Sequence, residues 1–311
     1  MFDVVALGEI LIDMTYAGKS ENGATLFEQN PGGAPANVLT AVSRLGGKTA
    51  LIGKIGDDMH GEFLRETVEK EGIFAKNLIT DNSVFTTLAF VNLDENGNRS
   101  FSFARKPGAD TCLKPEEVDL SLLNDTKIFH FGSLSLTDDP AKSATFFALK
   151  NAKEMGKIIS YDPNYRAPLW ESEEKAVEGM RSVLDFVDII KISDEETKLL
   201  TGFEEVEKAS EELLNKGIKI VIVTLGKNGA HIRTKDGFIT SPALDVKAVD
   251  TTGAGDSFMG GFLYRISNCE KDIEELTLSD IKDFADFSNK VSGFCVQRRG
   301  AINAMPHLNE I

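Results

Sequence analysis

Short apolar runs rich in β-branched residues alternate along this chain with amphipathic stretches of helical period, and that alternation limits the fold more than any other feature. The runs at 4–7, 50–53, 127–131, 158–161, 187–192 and 219–225 are too short for helices and are mostly apolar. Strands buried on both faces read this way. Between them, 37–45, 59–71, 141–155 and 205–216 place apolar residues at helical spacing, with glycine near their ends, and 254–267 and 278–296 close the chain. Strand–helix alternation of this kind predicts an α/β fold with a mostly parallel central sheet between two helical layers. A chain of 311 residues can bury about 75% of its unfolded surface, so the core requires neither disulfides nor a structural metal.

Two stretches break the rhythm. Residues 14–29 are polar and strand-like, and 83–104 read as a hairpin turning at Asp94-Glu95-Asn96-Gly97-Asn98, with Phe101 and Phe103 alternating on the return strand. Together they form a small antiparallel sheet, either a plain edge element or a lid that keeps water from a site at the strand ends. The formal net charge of −15 argues against nucleic-acid partners and against an anionic membrane surface, both of which select for basic patches. It also sits awkwardly with an anionic substrate. Cys112, Cys269 and Cys295 are odd in number and widely spaced, which predicts reduced thiols and a cytoplasmic setting. The start, with an early Asp3 and no basic stretch, does not read as a signal peptide, and no apolar run approaches the ~20 residues of a membrane span. The four histidines are scattered, so a histidine metal site is not expected.

The densest chemical signal is Asp250-Thr251-Thr252-Gly253-Ala254-Gly255-Asp256-Ser257-Phe258-Met259-Gly260-Gly261, a small-residue turn running into a helix. Unpaired N–H groups and the positive dipole end make such a start an anion site. Gly253 and Gly255 let a phosphate approach the backbone. Asp256 would repel a permanently bound phosphate, but it fits a base that takes a proton from an attacking hydroxyl. A first-turn Asp favoured by the helix dipole is the plain alternative. Other nucleotide motifs fail: the Gly-Lys pairs at 18–19 and 47–48 have Asp13 and Val42 where a P-loop needs its first glycine, and 253–258 lacks the third glycine of a dinucleotide fingerprint. A second turn, Asn30-Pro31-Gly32-Gly33-Ala34-Pro35-Ala36-Asn37, opens another helix, and Asn37 carries donors and an acceptor suited to sugar hydroxyls. Asp13 after the first strand could accept two hydroxyl bonds, or merely cap. Asp162-Pro163-Asn164-Tyr165-Arg166 follows a buried strand at its ligand-binding end, and Arg166 and Arg105 are candidate local cations.

These pieces, in this order, resemble the ribokinase-like (PfkB-type) carbohydrate kinases over about the whole chain. The set comprises Gly8-Glu9-Ile10-Leu11-Ile12-Asp13, the 32–37 turn, Gly53-Lys54-Ile55-Gly56-Asp57-Asp58, 162–166, Thr224-Leu225-Gly226-Lys227-Asn228-Gly229 and 250–256. Within the family the Glu-x-Leu-Ile-Asp start, the 32–37 turn, Arg-Lys-Pro-Gly-Ala-Asp at 105–110 and Asp-Pro-Asn-x-Arg are most similar to bacterial fructokinases. The resemblance implies one ribokinase-like domain over 1–311, a three-layer α/β/α sandwich with a β lid formed by 13–30 and 83–105. It implies Asp256 as catalytic base, Gly253, Ala254 and Gly255 as anion hole, and Asp13, Gly33, Asn37, Arg105 and Arg166 as sugar contacts. Ser193, Thr224, Gly226, Gly229 and Asn289 fall on the ATP side. Asp250, Thr252, Cys295, Arg298, Gly300 and Ala304 match a potassium site, mostly through carbonyls. The implied reaction is ATP- and Mg²⁺-dependent phosphorylation of a sugar primary hydroxyl, fructose to fructose 6-phosphate. Ribose or 2-keto-3-deoxygluconate are alternative substrates within the family, and a non-catalytic sugar- or nucleotide-binding regulator that keeps the kinase fold is the alternative of a different class. A homodimer through the lid is also implied. One departure concerns Ser193-Asp194-Glu195-Glu196, where the family usually has Asn-x-x-Glu: Glu196 then serves magnesium through water, or Ser-x-x-Glu is simply a helix-capping box.

Overall fold

The six apolar runs are all strands in the computed structural model, which describes residues 1–93 and 99–311. The strands are β1 (Phe2–Leu7), β2 (Leu11–Lys19), β3 (Thr25–Gly32), β4 (Thr49–Gly56), β5 (Leu78–Asp81), β6 (Leu88–Leu93), β7 (Arg99–Ala104), β8 (Thr126–Gly132), β9 (Ile158–Asp162), β10 (Ile189–Ser193), β11 (Ile220–Thr224), β12 (Ala230–Thr234) and β13 (Gly237–Ser241). The helices are α1 (Ala34–Arg44), α2 (Met59–Lys70), α3 (Leu120–Asn124), α4 (Ala141–Glu154), α5 (Glu173–Arg181), α6 (Thr197–Thr201), α7 (Val206–Asn215), α8 (Ala254–Ser267) and α9 (Leu278–Cys295). The hairpin turn expected at 94–98 and the side chain of Phe101 lie outside the described residues.

One sheet has the order β13-β12-β11-β10-β9-β8-β1-β4-β5, with only β12 running against its neighbours. Successive residues of β1 face opposite layers: Val4 and Ala6 pack in the core with α1, α2, α8 and α9, while Val5 and Leu7 pack in the core with α3, α4, α5 and α7. This is the expected three-layer sandwich. After β1 the chain proceeds to β4 on one side and returns through β8 on the other. The order reverses at β1, and ligands of open α/β sheets bind in the crevice at such a reversal, outside the carboxyl ends of the strands.

The second sheet has the order β3-β2-β6-β7. It is mixed rather than purely antiparallel, because β2 pairs with β6 in parallel. The edge hairpin of β12 and β13 was not expected from periodicity, nor was α5, which Ser172 caps by accepting from the Lys175 amide at 3.2 Å. Helix α8 has the expected bounds, whereas α1 starts three residues earlier, at Ala34, with proline in its first turn.

Candidate active site

A cavity of about 710 Å³ opens at the sheet reversal, between the four-stranded sheet and the start of α8. Leu11, Asp13 and Ala89 from the small sheet line one side, and Asn37, Lys191 and the 249–256 segment line the other.

The start of α8 is shaped by what surrounds it. Gly253 takes a left-handed conformation (φ 76°), and a Cβ there would lie 3.0 Å from the Ala301 Cβ. Asp250 braces the turn: Oδ1 accepts from the Thr252 amide at 2.9 Å and its hydroxyl at 2.7 Å, and Oδ2 accepts from the Gly300 amide at 3.0 Å. The amides of Gly255 and Asp256 in the first turn have no intrahelical acceptor. A Cβ on Gly255 would stand 2.9 Å from the Lys191 ammonium, so glycine keeps open a cradle that combines helix amides with a cation. Such a cradle suits a phosphate.

Asp256, in that first turn, is buried and accepts from Asn37 Nδ2 at 2.7 Å. Burial raises its carboxyl to about 6 and the Asp162 charge adds to the rise, while Lys191, the Asn37 hydrogen bond and Arg166 oppose it. Lys191 is also buried, and burial works against its charge. Asp162 at 2.8 Å, with Glu196 and Asp256 beyond, outweighs that and holds its pKa above the usual lysine value. The site thus combines a permanent cation with a carboxylate poised near neutrality.

The structure places the residues singled out in the sequence in different ways. Asp13, Gly33, Asn37, Arg166, Asp250, Thr252, Gly253, Ala254, Gly255, Asp256 and Gly300 all line the cavity. Gly33 (φ 112°) sits where a Cβ would approach the Glu9 carbonyl to 2.5 Å. Arg105 does not line the cavity. Its guanidinium pairs with Asp110 at 2.7–2.8 Å and donates to Thr137 and to the Leu134 carbonyl, bracing the wall from behind. Ser193 and Thr224 are register partners at the ends of β10 and β11, next to the turn in which Gly226 and Gly229 have positive φ. Asn289 spends its amide on the Ser241 carbonyl (3.1 Å) and hydroxyl (2.7 Å), tying α9 to β13. Glu196 behaves as a cap: one oxygen accepts from the Ser193 amide (2.8 Å) and hydroxyl (3.1 Å), the other from the Tyr165 amide (2.7 Å). Cys295 and Ala304 pack together against Ala41, burial pushes the Cys295 thiol up to about 11, and the Arg298 amide donates to the Cys295 carbonyl at 3.1 Å.

From the sequence, Lys191 has no assigned site role, and Glu9 stands in a motif without a role of its own. A lysine inside Ile189-Ile190-Lys191-Ile192 is a readable anomaly, since a lysine in a strand buried on both faces must find an anion. Glu9 accepts from the Ala34 amide at 2.9 Å, and burial raises its carboxyl to about 7. Among the described residues, no cluster of three or more His, Cys, Asp and Glu side chains is placed to hold a metal, and no helix is long and apolar enough to cross a membrane.

Known proteins are similar to this chain over nearly its whole length. The family described as "pfkB family carbohydrate kinase" matches residues 1–308. A probable fructokinase-5 of Arabidopsis thaliana is 42% identical over 306 residues, covering 97% of this chain and 94% of the relative. Among solved structures, a fructokinase from Xylella fastidiosa with bound ATP superposes with a TM-score of 0.92 at 33% identity, covering 100% of this chain and 97% of that one. A fructokinase from Vibrio cholerae O395 bound to fructose, ADP and calcium gives 0.90 at 32% identity, over 99% and 97% of the two chains.

Proposed function

This chain belongs to the pfkB family of carbohydrate kinases, with the ribokinase-like fold and phosphotransfer to an alcohol that membership carries, and on that premise we propose that it phosphorylates fructose to fructose 6-phosphate with Asp256 as base. The observation that carries this reading is the buried Asp256 carboxylate, held between the Asn37 amide and the field of Lys191 at a helix start. In the reaction the primary hydroxyl of the sugar gives its proton to Asp256. Its oxygen forms a bond to the γ-phosphorus of ATP as the bond to the bridging β–γ oxygen breaks, and ADP leaves with that oxygen. The Gly255 and Asp256 amides and the Lys191 ammonium stand where they can meet the charge on the transferring group.

Fructose is favoured by the names of the relatives and by one correction within the site. A sugar acid needs a cation for its carboxylate, and Arg105, one of the two arginines considered for that role, is committed to Asp110. Arg166 remains at the cavity. Magnesium would enter with ATP and supply charge neutralisation at the phosphates; Glu196, whose oxygens are occupied by the Ser193 and Tyr165 groups, would serve it only through water. The 250–252 and 295–304 segments, joined through Asp250 and Gly300, would hold a potassium ion. We read the whole chain as one domain, the four-stranded sheet as its lid and the pairing surface of a dimer, and the three free thiols as fitting the cytoplasm.

The test is ADP release over a panel of fructose, ribose and 2-keto-3-deoxygluconate. Fructose should give the highest kcat/KM, and Asp256→Asn should fold and lose about 10²–10⁴-fold in kcat. Near-full turnover in that variant removes the base assignment, and another preferred sugar corrects the substrate alone.

A further inference from the structure

The Asn37 side chain is engaged at one end. Its Nδ2 donates to Asp256 Oδ2 at 2.7 Å, and because an ionised carboxylate only accepts, the amide NH₂ must face Asp256 and the carbonyl must face away. That carbonyl oxygen is buried and has no hydrogen-bond partner, although Asn37 lines the cavity. A buried acceptor left unpaired is costly, and a hydroxyl donor arriving in the cavity relieves it.

The Asn37–Asp256 pair is fixed in place from outside the cavity. One helical turn further along each helix, α1 and α8 cross in backbone contact: a Cβ on Gly260 would lie 2.5 Å from the Ala41 Cβ and 2.9 Å from the Val38 carbonyl oxygen. Gly260 and Ala41 stand four residues after Asp256 and Asn37 on the same helices. The two helices can approach closely enough for the hydrogen bond because this crossing is built from small residues.

Resting on the reading of Asp256 as base, we propose that Asn37 is a two-ended clamp, its carbonyl accepting a sugar hydroxyl while its amide fixes the rotamer of Asp256, so that sugar binding and base alignment are one event. Asn37 is then a positioning residue as well as a sugar contact, and Gly260 positions it from the core. The groups facing Asp256 are Asp162 from β9, Arg166 just beyond it, Lys191 from β10 and Cys295 from α9. All of them persist when Asn37 is changed. The hydrogen bond from Asn37 favours the charged carboxylate, so its loss must raise the pH at which Asp256 ionises.

The experiment measures kcat and KM for sugar and for ATP against pH in the full-length protein, its Asn37→Ala and Gly260→Ala variants, and Asp256→Asn. In Asn37→Ala the acid limb of kcat should move up by about one pH unit, the size expected for one hydrogen bond to a carboxylate. Sugar KM should rise and ATP KM should stay within twofold. Gly260→Ala, which alters no cavity-lining residue, should move the acid limb the same way with a smaller change in sugar KM. If sugar KM rises in Asn37→Ala while its acid limb stays put, Asn37 is a sugar ligand only and the clamp is overturned. Should Gly260→Ala not fold, the Asn37→Ala profile decides alone. An active Asp256→Asn overturns the base reading itself, so the two failures are told apart.

Discussion

Asp256 stores a conflict between folding and chemistry. Its carboxyl rises from the ordinary 3.8 to about 6 on folding, chiefly by burial. A raised carboxyl binds its proton more tightly in the folded state. Its contribution to stability is therefore present below pH 3.8 and is lost as the pH climbs through about 6. At neutral pH the ionised, buried group costs about 1–3 kcal/mol. Asp256→Asn should therefore melt at a higher temperature than the parent protein at pH 7.5. The gain should shrink as the pH is lowered towards 4, and calorimetry across that range checks it. Equal melting temperatures at every pH would show that the site bears no such cost. Residue by residue, the sequence was most readable where chemistry breaks a pattern. Asp256 and Asn37 stood out because polar groups follow glycine turns. Lys191 is hidden by the apolar residues around it in its strand, and its partner Asp162 lies 29 residues away in another strand. Arg105 was legible as a cation but not as a brace. Its partner Asp110 is close in sequence, but which way the guanidinium turns depends on Thr137 and Leu134, brought in by a different element.

At the scale of elements, α8 was read with its observed bounds because its start is local: a left-handed glycine, two small residues and the apolar face that follows. The β12–β13 hairpin was not, because its strands carry His231 and Arg233 among apolar residues. Those two are settled by tertiary contact, with Ser210 on α7 at 3.1 and 3.0 Å and with the Phe238 ring of β13. The same locality makes the α8 cradle testable. Any side chain at Gly255 must displace the Lys191 ammonium, which cannot swing away freely because it is buried and paired with Asp162 at 2.8 Å. Gly255→Val should therefore raise KM for ATP at least about tenfold, the effect of losing one charge-assisted contact to phosphate. Sugar affinity by calorimetric titration should change much less, because Asp13 and Asn37 stay in place. An unchanged ATP KM would detach the α8 start from phosphate binding.

For the whole molecule, the net charge of −15 says little about a site whose proposed phosphate cradle is two amides and one buried lysine; it bears on solubility and on which surfaces associate. Association must then rest on apolar surface, and the four-stranded sheet offers it. Alternation along β2 sends Ile12 and Met14 into the main core together with Leu88 of β6. Tyr16 follows on the same face, opposite Phe27 of β3, whose ring meets Phe90 edge-on at 5.7 Å. Tyr16 and Phe27 are 38% and 40% exposed, so the apolar face continues past the point where the core covers it. If two copies cover each other there, each lid is steadied over its cavity by its partner. Phe27→Glu places a charge in the middle of that pairing at a position that does not itself line the cavity. The parent protein should sediment as a dimer and the variant as a monomer at the same concentration. Sugar KM should rise severalfold while ATP KM stays unchanged, because the small sheet contributes to the sugar side of the cavity. A monomeric parent protein, or a variant whose mass and sugar KM both match the parent, removes the pairing and leaves the lid to close alone.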